Sequence, residues 1–327
     1  MPLLSADAPE AIATAAQALA AGELVALPTE TVYGLGARAD DDAAVAKVFA
    51  AKGRPADHPL IVHVADIAGA QAFAAEWSPL AQRLAEAFWP GPLTLIVPRR
   101  AGQGAAAAAG QDSIGLRCPA HPVAHALLRA AALQGVAGVA APSANRFGRV
   151  SPTTAQHVQQ EFGDTLLVLD GGACPVGIES TIVDCTRGVP VLLRPGMLTR
   201  TQVEAAAGQR LQAPDAQAPR ASGTLEAHYA PRARVQVFEP AALQAALARP
   251  PEGLAVYSRT VRANAALAAS GVRHRPMPDD AAATARELFS VMRELDDQGA
   301  HLIWVEQPPD TPEWEGVRDR LRRAAAA

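Results

Sequence analysis

Short apolar runs alternate along the chain with longer stretches in which Ala, Leu and Val recur at helical spacing, a pattern that predicts an α/β fold. The runs at 24–27, 60–64, 93–97, 113–117, 137–141, 166–169, 180–184 and 190–194 read as strands. Between them, helices are predicted over 8–21, with Pro9 in the first turn, and over 41–51, from the Asp40-Asp41-Asp42 cap to Lys52-Gly53. Further helices are predicted over Pro79–Phe88, stopped by Trp89-Pro90-Gly91-Pro92, and near 121–132, 152–161 and 200–207, with Ser151-Pro152-Thr153 reading as a cap. Residues 101–110 are a tract of Ala and Gly that reads as a mobile surface loop. Residues 212–226 hold Pro, Gly and Ser with little periodicity and read as a linker. Beyond it the alternation resumes, with strands at 235–238, 253–258 and 301–305 and helices at 240–248, 261–270, 281–298 and 313–323. The pattern divides the chain into a first domain over 1–210, a linker over 211–232 and a second domain over 233–327.

Composition narrows the function classes. The chain of 327 residues is 49% hydrophobic and 19% charged, which excludes wholesale disorder. A net charge of -4, not split between the halves, disfavours a protein that lives by coating nucleic acid. Lys47 and Lys52 are the two lysines among 29 basic residues, so Arg has replaced Lys almost everywhere, and a surviving Lys marks either chance or a need for a compact ammonium. Three cysteines, Cys118, Cys174 and Cys185, form no CxxC pair and suggest neither a disulfide framework nor a zinc knuckle. No window approaches about 18 uninterrupted apolar residues and no signal segment opens the chain, so a soluble cytoplasmic protein is expected.

The densest chemistry is Pro28-Thr29-Glu30-Thr31-Val32-Tyr33-Gly34-Leu35-Gly36, directly after a strand, where ligands of α/β sheets collect. Gly34-x-Gly36 lacks the third glycine of a dinucleotide fingerprint and reads most simply as a tight turn. Lys52-Gly53-Arg54-Pro55 places two cations two residues apart, suited either to clamping phosphate oxygens or to a solvated loop. His63 alternates with Val62 and Val64 within its strand and Arg117 ends an apolar run, where a core histidine and a surface arginine are the plain alternatives. Pro142-Ser143-Ala144-Asn145, Ser151-Pro152-Thr153, Gly177-Ile178-Glu179-Ser180-Thr181 and Leu193-Arg194-Pro195-Gly196 all flank strands or helix starts. His228-Tyr229-Ala230-Pro231 is a polar and aromatic island on the linker.

Taken in order, PTETVYGLGARADD, KGRP, HPLIVHV, IGLRCP, PSANRFGRVSPT, GIESTIVD, LLRPG and HYAP resemble the threonylcarbamoyl-AMP synthase family, of YrdC-like fold, across residues 20–231. The remainder resembles the extra domain of that family's long form. The resemblance implies a twisted open α/β domain with a concave cavity, followed by a linker over its mouth and a smaller Rossmann-like domain. It implies condensation of L-threonine, bicarbonate or CO2, and ATP, with Mg2+, into L-threonylcarbamoyl-AMP and pyrophosphate. The product would feed a threonylcarbamoyl-transferase complex that modifies tRNAs reading ANN codons, direct contact with tRNA being left open. Carried over by motif, Thr31, His63, Arg117, Ala141 and Ser180 are implied threonine contacts. Arg54, His58, Ser113, Ser143, Asn145, Ser151, Arg194 and Tyr229 are implied ATP contacts. Lys52, with Arg54, is implied beside the carbamate and the α-phosphate, and Thr29 and Tyr33 in the same pocket. The chain departs from the family at His58, where Asn is common, and at Glu226-Ala227, where the linker is often basic. Two other classes compete: an RNA-binding or ribosome-associated module of the same fold, and a hydrogenase-maturation carbamoyl transferase, whose additional cysteine-rich segments are not visible here.

Overall fold

The computed structural model describes residues 3–262 and 269–327. The chain divides into two units, Met1–Phe147 with Ser151–Thr224, and Gly148–Val150 with Leu225–Ala327. The division falls inside the stretch read as a linker. Residues up to Thr224 count with the first unit because side chains there hold them: Arg187 pairs with Asp215 at 2.9 Å and the Arg220 N–H donates to the Gln111 side chain at 2.9 Å.

In the first unit, strands β1 (Leu3–Ser5), β2 (Val25–Leu27), β3 (Gly34–Arg38), β4 (Ile61–His63), β5 (Leu93–Pro98), β6 (Ser113–Arg117), β7 (Val139–Ala140), β8 (Leu167–Asp170), β9 (Thr181–Asp184) and β10 (Val191–Arg194) join one mixed sheet. Their spatial order is β1-β8-β2-β3-β7-β4-β6-β5-β9-β10. The strands β4, β6, β5 and β9 read with a period of two. Val62, Ile114, Leu116, Leu93, Leu95, Val97 and Val183 enter the main core. Their alternates on the opposite face are Ile61, His63, Ser113, Gly115, Arg117, Thr94, Ile96 and Ile182, and Ile61, Ile96 and Ile182 form a small apolar floor of their own. One face is therefore dry, and the other carries nearly all the polar residues that the sequence singled out on these strands.

Helices start and stop where local chemistry allows. In α2 (Asp42–Lys52) the Asp41 carboxylate caps the N–H groups of Ala43 and Ala44, and Gly53 ends the helix at φ 62°, which glycine adopts without cost. In α4 (Pro79–Phe88) the Ser78 side chain accepts from the Ala81 N–H and Pro79 occupies the first turn. The helix Arg200–Ala207 carries a full capping box between Thr199 and Gln202.

Several expectations are corrected. Pro9 precedes the first helix, which runs Ala11–Ala20. The cap of the helix Ala155–Phe162 is Thr154, not the preceding Ser-Pro-Thr. Gly34-Leu35-Gly36 is strand rather than turn: a Cβ on Gly36 would lie 2.8 Å from Val139 and 2.9 Å from Leu27, so glycine lets neighbouring side chains fill that space. The Ala and Gly tract at 101–110 is not a surface loop. Ala107 and Ala108 are buried, and the Ala107 carbonyl accepts from the Leu60 N–H. Small side chains let consecutive turns sink into the core. The strands Leu3–Ser5 and Arg273–Pro276 and the helix Ile67–Phe73 were not anticipated, being short or polar. The helix predicted over 261–270 falls on 263–268, outside the described residues.

In the second unit, β11 (Arg234–Phe238), β14 (Leu302–Glu306), β12 (Leu254–Ser258) and β13 (Arg273–Pro276) form a wholly parallel sheet in that order. The helix Ala281–Asp297 is amphipathic and the closing helix Glu315–Ala325 packs on β11. At the carboxyl ends of β14 and β12, Glu306 accepts hydrogen bonds from the N–H groups of Arg259, Thr260 and Val261 at 2.9, 2.8 and 3.0 Å. It also accepts from the Thr260 hydroxyl at 2.7 Å. Burial pushes its carboxyl pKa up, but these bonds more than offset it and hold Glu306 below the usual range.

Candidate active site

At one end of the polar face, Arg117 closes β6 beside His63 of β4, the two being directly paired across the parallel strands. The buried Arg117 guanidinium is held on three nitrogens: Nε donates to the Gly91 carbonyl at 3.2 Å, Nη1 donates to Thr31 Oγ1 at 2.9 Å, and Nη2 lies 2.6 Å from a Glu30 carboxylate oxygen. Thr31 is placed by the turn that precedes β3. The Thr29 hydroxyl accepts from the N–H groups of Thr31 and Val32 and lies 2.9 Å from Thr31 Oγ1. Burial, then the charge of Arg117, drive the His63 pKa down to about 3, so its imidazole is neutral, and among the described residues Nδ1 has no hydrogen-bond partner.

On the neighbouring β9 edge, Ser180 Oγ sits 2.8 Å from Thr94 Oγ1. Arg194, closing β10, donates through Nε and Nη2 to the Ser180 carbonyl at 3.1 and 2.9 Å, and through Nη1 to the Ser222 carbonyl at 2.8 Å. Ser222 belongs to the strap 220–222, which faces Ile61, Ile96 and Ile182 across a narrow cleft. Ser113, Gln111 and Pro59 also line this cleft. The Gln111 side chain clasps the strap at two points, accepting from the Arg220 N–H at 2.9 Å and donating to the Arg220 carbonyl at 3.2 Å.

Lys52 ends α2 fully buried. Its Nζ donates to the carbonyls of Ser143, at 2.5 Å, and Asn145, and its own carbonyl accepts from the Phe147 N–H. Burial, then the charge of Arg54, set its pKa well below the ordinary lysine value. Arg54 donates to the Pro59 carbonyl at 3.0 Å and lies 5.8 Å from the Phe147 ring centre, while His58 meets the same ring edge-on at 5.4 Å. Burial and the Arg54 charge lower the His58 pKa, which favours the uncharged imidazole.

These groups are continuous. Ser143 bridges Gly34, Ala141 donates its N–H to Ile61 at the edge of the floor, and the Ala144 N–H donates to the Tyr33 carbonyl. Ser151, wholly buried, donates to Glu179 at 2.5 Å, and Glu179 in turn contributes to the field at Lys52. Tyr33 turns away: its hydroxyl donates to the Gly172 carbonyl at 2.7 Å, which makes it a brace for the loop after β8. Tyr229 belongs to the second unit. There it adopts φ 64°, stacks on Phe289 with ring centres 5.5 Å apart, and has the Arg320 guanidinium 5.2 Å from its ring.

Four buried basic side chains, Lys52, Arg54, Arg117 and Arg194, thus stand among hydroxyls and the neutral His63 imidazole, with the Glu30 carboxylate against Arg117 and that of Glu179 against Ser151. Such a surface suits a ligand with several anionic oxygens. The sequence reading did not single out Glu30, Thr94, Gln111, Glu179 or Ser222 as functional. Glu30 and Glu179 did stand inside the quoted motifs, as carboxylates without an assigned partner.

Comparison with known proteins covers both units. Residues 17–196 match the family model described as Telomere recombination, and residues 198–326 match that described as Threonylcarbamoyl-AMP synthase, C-terminal domain. The chain is 37% identical to the threonylcarbamoyl-AMP synthase of Pyrococcus abyssi, over 93% of this chain and 91% of that protein. It is also 37% identical to that of Bacillus subtilis, over 98% and 94%. The crystal structure of P. abyssi Sua5 complexed with L-threonine superposes with a TM-score of 0.86 at 35% identity, covering 96% of this chain and 94% of the other. Matched in both units and over nearly its full length, the chain belongs to the threonylcarbamoyl-AMP synthase family, enzymes of the nucleotidyltransferase type.

Proposed function

We propose that this enzyme condenses L-threonine, bicarbonate or CO2, and ATP into L-threonylcarbamoyl-AMP and pyrophosphate. The single observation that carries the reading is the continuous polar face on which Arg117, Thr31 and Ser180 stand at one end and Lys52, Arg54 and Ser143 at the other. The threonine amine adds to CO2 and loses a proton, giving a carbamate. A carbamate oxygen then forms a bond to the α-phosphorus while the bond from that phosphorus to the bridging oxygen breaks and pyrophosphate leaves. No enzyme nucleophile is needed, so positioning and charge stabilisation carry the rate.

In this reading Arg117 receives the threonine carboxylate, and Thr31, His63, Ala141 and Ser180 surround the amino acid. Arg54, His58, Ser113, Ser143, Asn145, Ser151 and Arg194 hold the nucleotide. Lys52 holds the 143–145 loop by two carbonyls and directs its charge towards the α-phosphate. The strap 220–222 excludes water, which protects a carbamate from decomposing. Mg2+ enters with the triphosphate. Among the described residues no three His, Cys, Asp or Glu side chains gather as a cage, and magnesium bound chiefly by phosphate oxygens and water needs none. The adenylate is a mixed anhydride destined for a tRNA-modifying threonylcarbamoyl transferase.

The test is pyrophosphate release from ATP and Mg2+ with threonine and bicarbonate each supplied or omitted. Release that needs both is expected. Release with neither would make the protein a nucleotide hydrolase. No release, together with tight and steeply salt-dependent binding of duplex RNA, would replace the reading with the RNA-binding one.

A further inference from the structure

The buried Glu30 carboxylate has no part in the roles given above, yet it stands against Arg117, the side chain read there as receiving the threonine carboxylate. We propose that Glu30 is a positioning residue for Arg117, fixing the guanidinium so that its remaining N–H groups present a ready fork to the carboxylate of the amino-acid substrate; this rests on the reading of Arg117 given above. The two charges are 2.6 Å apart and both side chains are buried, 4% exposed for Arg117 and 6% for Glu30.

Glu30 is itself fixed. Its second carboxylate oxygen accepts from the Ala120 N–H at 3.1 Å, three residues beyond Arg117, and its backbone carbonyl accepts from the Val176 N–H at 2.8 Å. Its negative charge is felt by Cys118, His121 and Cys174, which places the carboxylate against the 118–121 turn and the 174 loop, behind Arg117. Arg117 is thereby pinned by a carbonyl at Nε, a hydroxyl at Nη1 and a carboxylate at Nη2. An arginine side chain loses much rotamer freedom on binding when it is unconstrained, and pre-ordering removes that cost from the encounter. The carboxylate also neutralises a buried guanidinium that would otherwise stand without a counter-charge.

The opposite role is physically available. A carboxylate so near Arg117 could instead compete with the substrate carboxylate, and the sign of one substitution separates the two. The experiment measures threonine binding to the full chain by calorimetry without ATP, and separately the KM values for threonine and ATP, in wild type, Glu30→Gln and Glu30→Asp. Glu30→Gln should weaken threonine binding and raise its KM on the order of tenfold, the ratio that about 1.4 kcal/mol of lost orientation gives. The KM for ATP and kcat at saturating threonine should stay within about threefold. Glu30→Asp, which restores the charge one methylene short, should recover part of the loss. Tighter threonine binding in Glu30→Gln would make Glu30 a competitor and overturn the proposal. Unchanged threonine binding, or equal losses for threonine and ATP, would overturn it as well. Failure of the wild type to bind threonine would fault the reading of the site itself, a result distinct from any change caused by Glu30.

Discussion

The two units treat the same structural opportunity in opposite ways. Each presents, at a strand end, groups that favour an anion. In the first, Arg117, Arg194, Lys52 and Arg54 are buried basic groups, and two of the buried carboxylates nearby stand against Arg117 and Ser151. In the second, β14 lies between β11 and β12, so that the crevice at the carboxyl ends of β12 and β14 is where a parallel sheet of this kind would hold a phosphate. There, three successive N–H groups and a hydroxyl close on Glu306. A nest of backbone N–H groups satisfied by the chain's own carboxylate has no unmet demand for an external anion. Fold alone therefore does not announce a ligand. What differs is the charge at the strand ends: buried basic side chains stand there in the first unit, and a carboxylate fills the nest in the second.

The largest expected effect lies at Lys52. An ammonium fits between the carbonyls of Ser143 and Asn145, and a planar guanidinium does not. Lys52→Arg should lower kcat about a hundredfold or more, roughly 2.7 kcal/mol of barrier, with a smaller change in ATP affinity. Near-normal turnover in a single-turnover assay would mean that this lysine is a chance survivor in an arginine-rich chain.

Next comes the filled crevice. Glu306→Ala strands buried N–H groups and should cost about 2–4 kcal/mol in urea denaturation, with Glu306→Gln, which keeps an acceptor, losing less. Turnover per folded molecule should be unchanged in both. Equal stability of all three proteins would show that the crevice does not depend on its internal carboxylate, and would erase the contrast between the units.

His63 gives a pH signature. Its pKa is about 3 folded and near 6.5 when unfolded, so the unfolded chain binds a proton that the folded chain refuses. Stability is therefore fully present above about pH 6.5 and declines as pH falls towards 3, by up to about 1.4 kcal/mol per unit from this one group. His63→Asn should flatten that slope between about pH 6 and 4 in denaturation midpoints measured across the range. An unaltered slope would place the acid sensitivity elsewhere.

The smallest effect is expected at the strap. Gln111→Ala removes both bonds to Arg220 but leaves the Arg194 tie to Ser222, so the KM for ATP should rise only about threefold, with faster proteolytic cleavage near 220. No change in either would mean that Gln111 merely decorates the cleft.

Much of this was legible along the chain. The short apolar runs of β4, β5 and β6, the Asp41 cap and the Gly53 stop of α2, and the strand–helix alternation after residue 232 are local properties, carried by side-chain polarity and backbone preference. The motifs marked where chemistry would stand. Three features resisted. Gly34-Leu35-Gly36 looks like a turn because glycine signals one locally, yet it is a strand whose glycines accommodate side chains distant in sequence. The tract at 101–110 looks exposed because it is small and featureless, but the core has room only for small residues there. Tyr33, read as a pocket residue, is committed to the loop after β8.

The order of residues by itself determined the α/β class, most helix ends and the motifs that carry the resemblance to a family, because each depends on neighbours within a few positions. Only the tertiary structure decided that Glu30 stands behind Arg117, that Gln111 clasps the strap 109 residues later, and that Glu306 closes on the 259–261 loop. Those pairings are choices among many possible partners for a buried charge or amide. They are settled by which strands lie side by side and which loops meet at their ends, since a buried polar group must be satisfied by whatever the fold brings within about 3 Å.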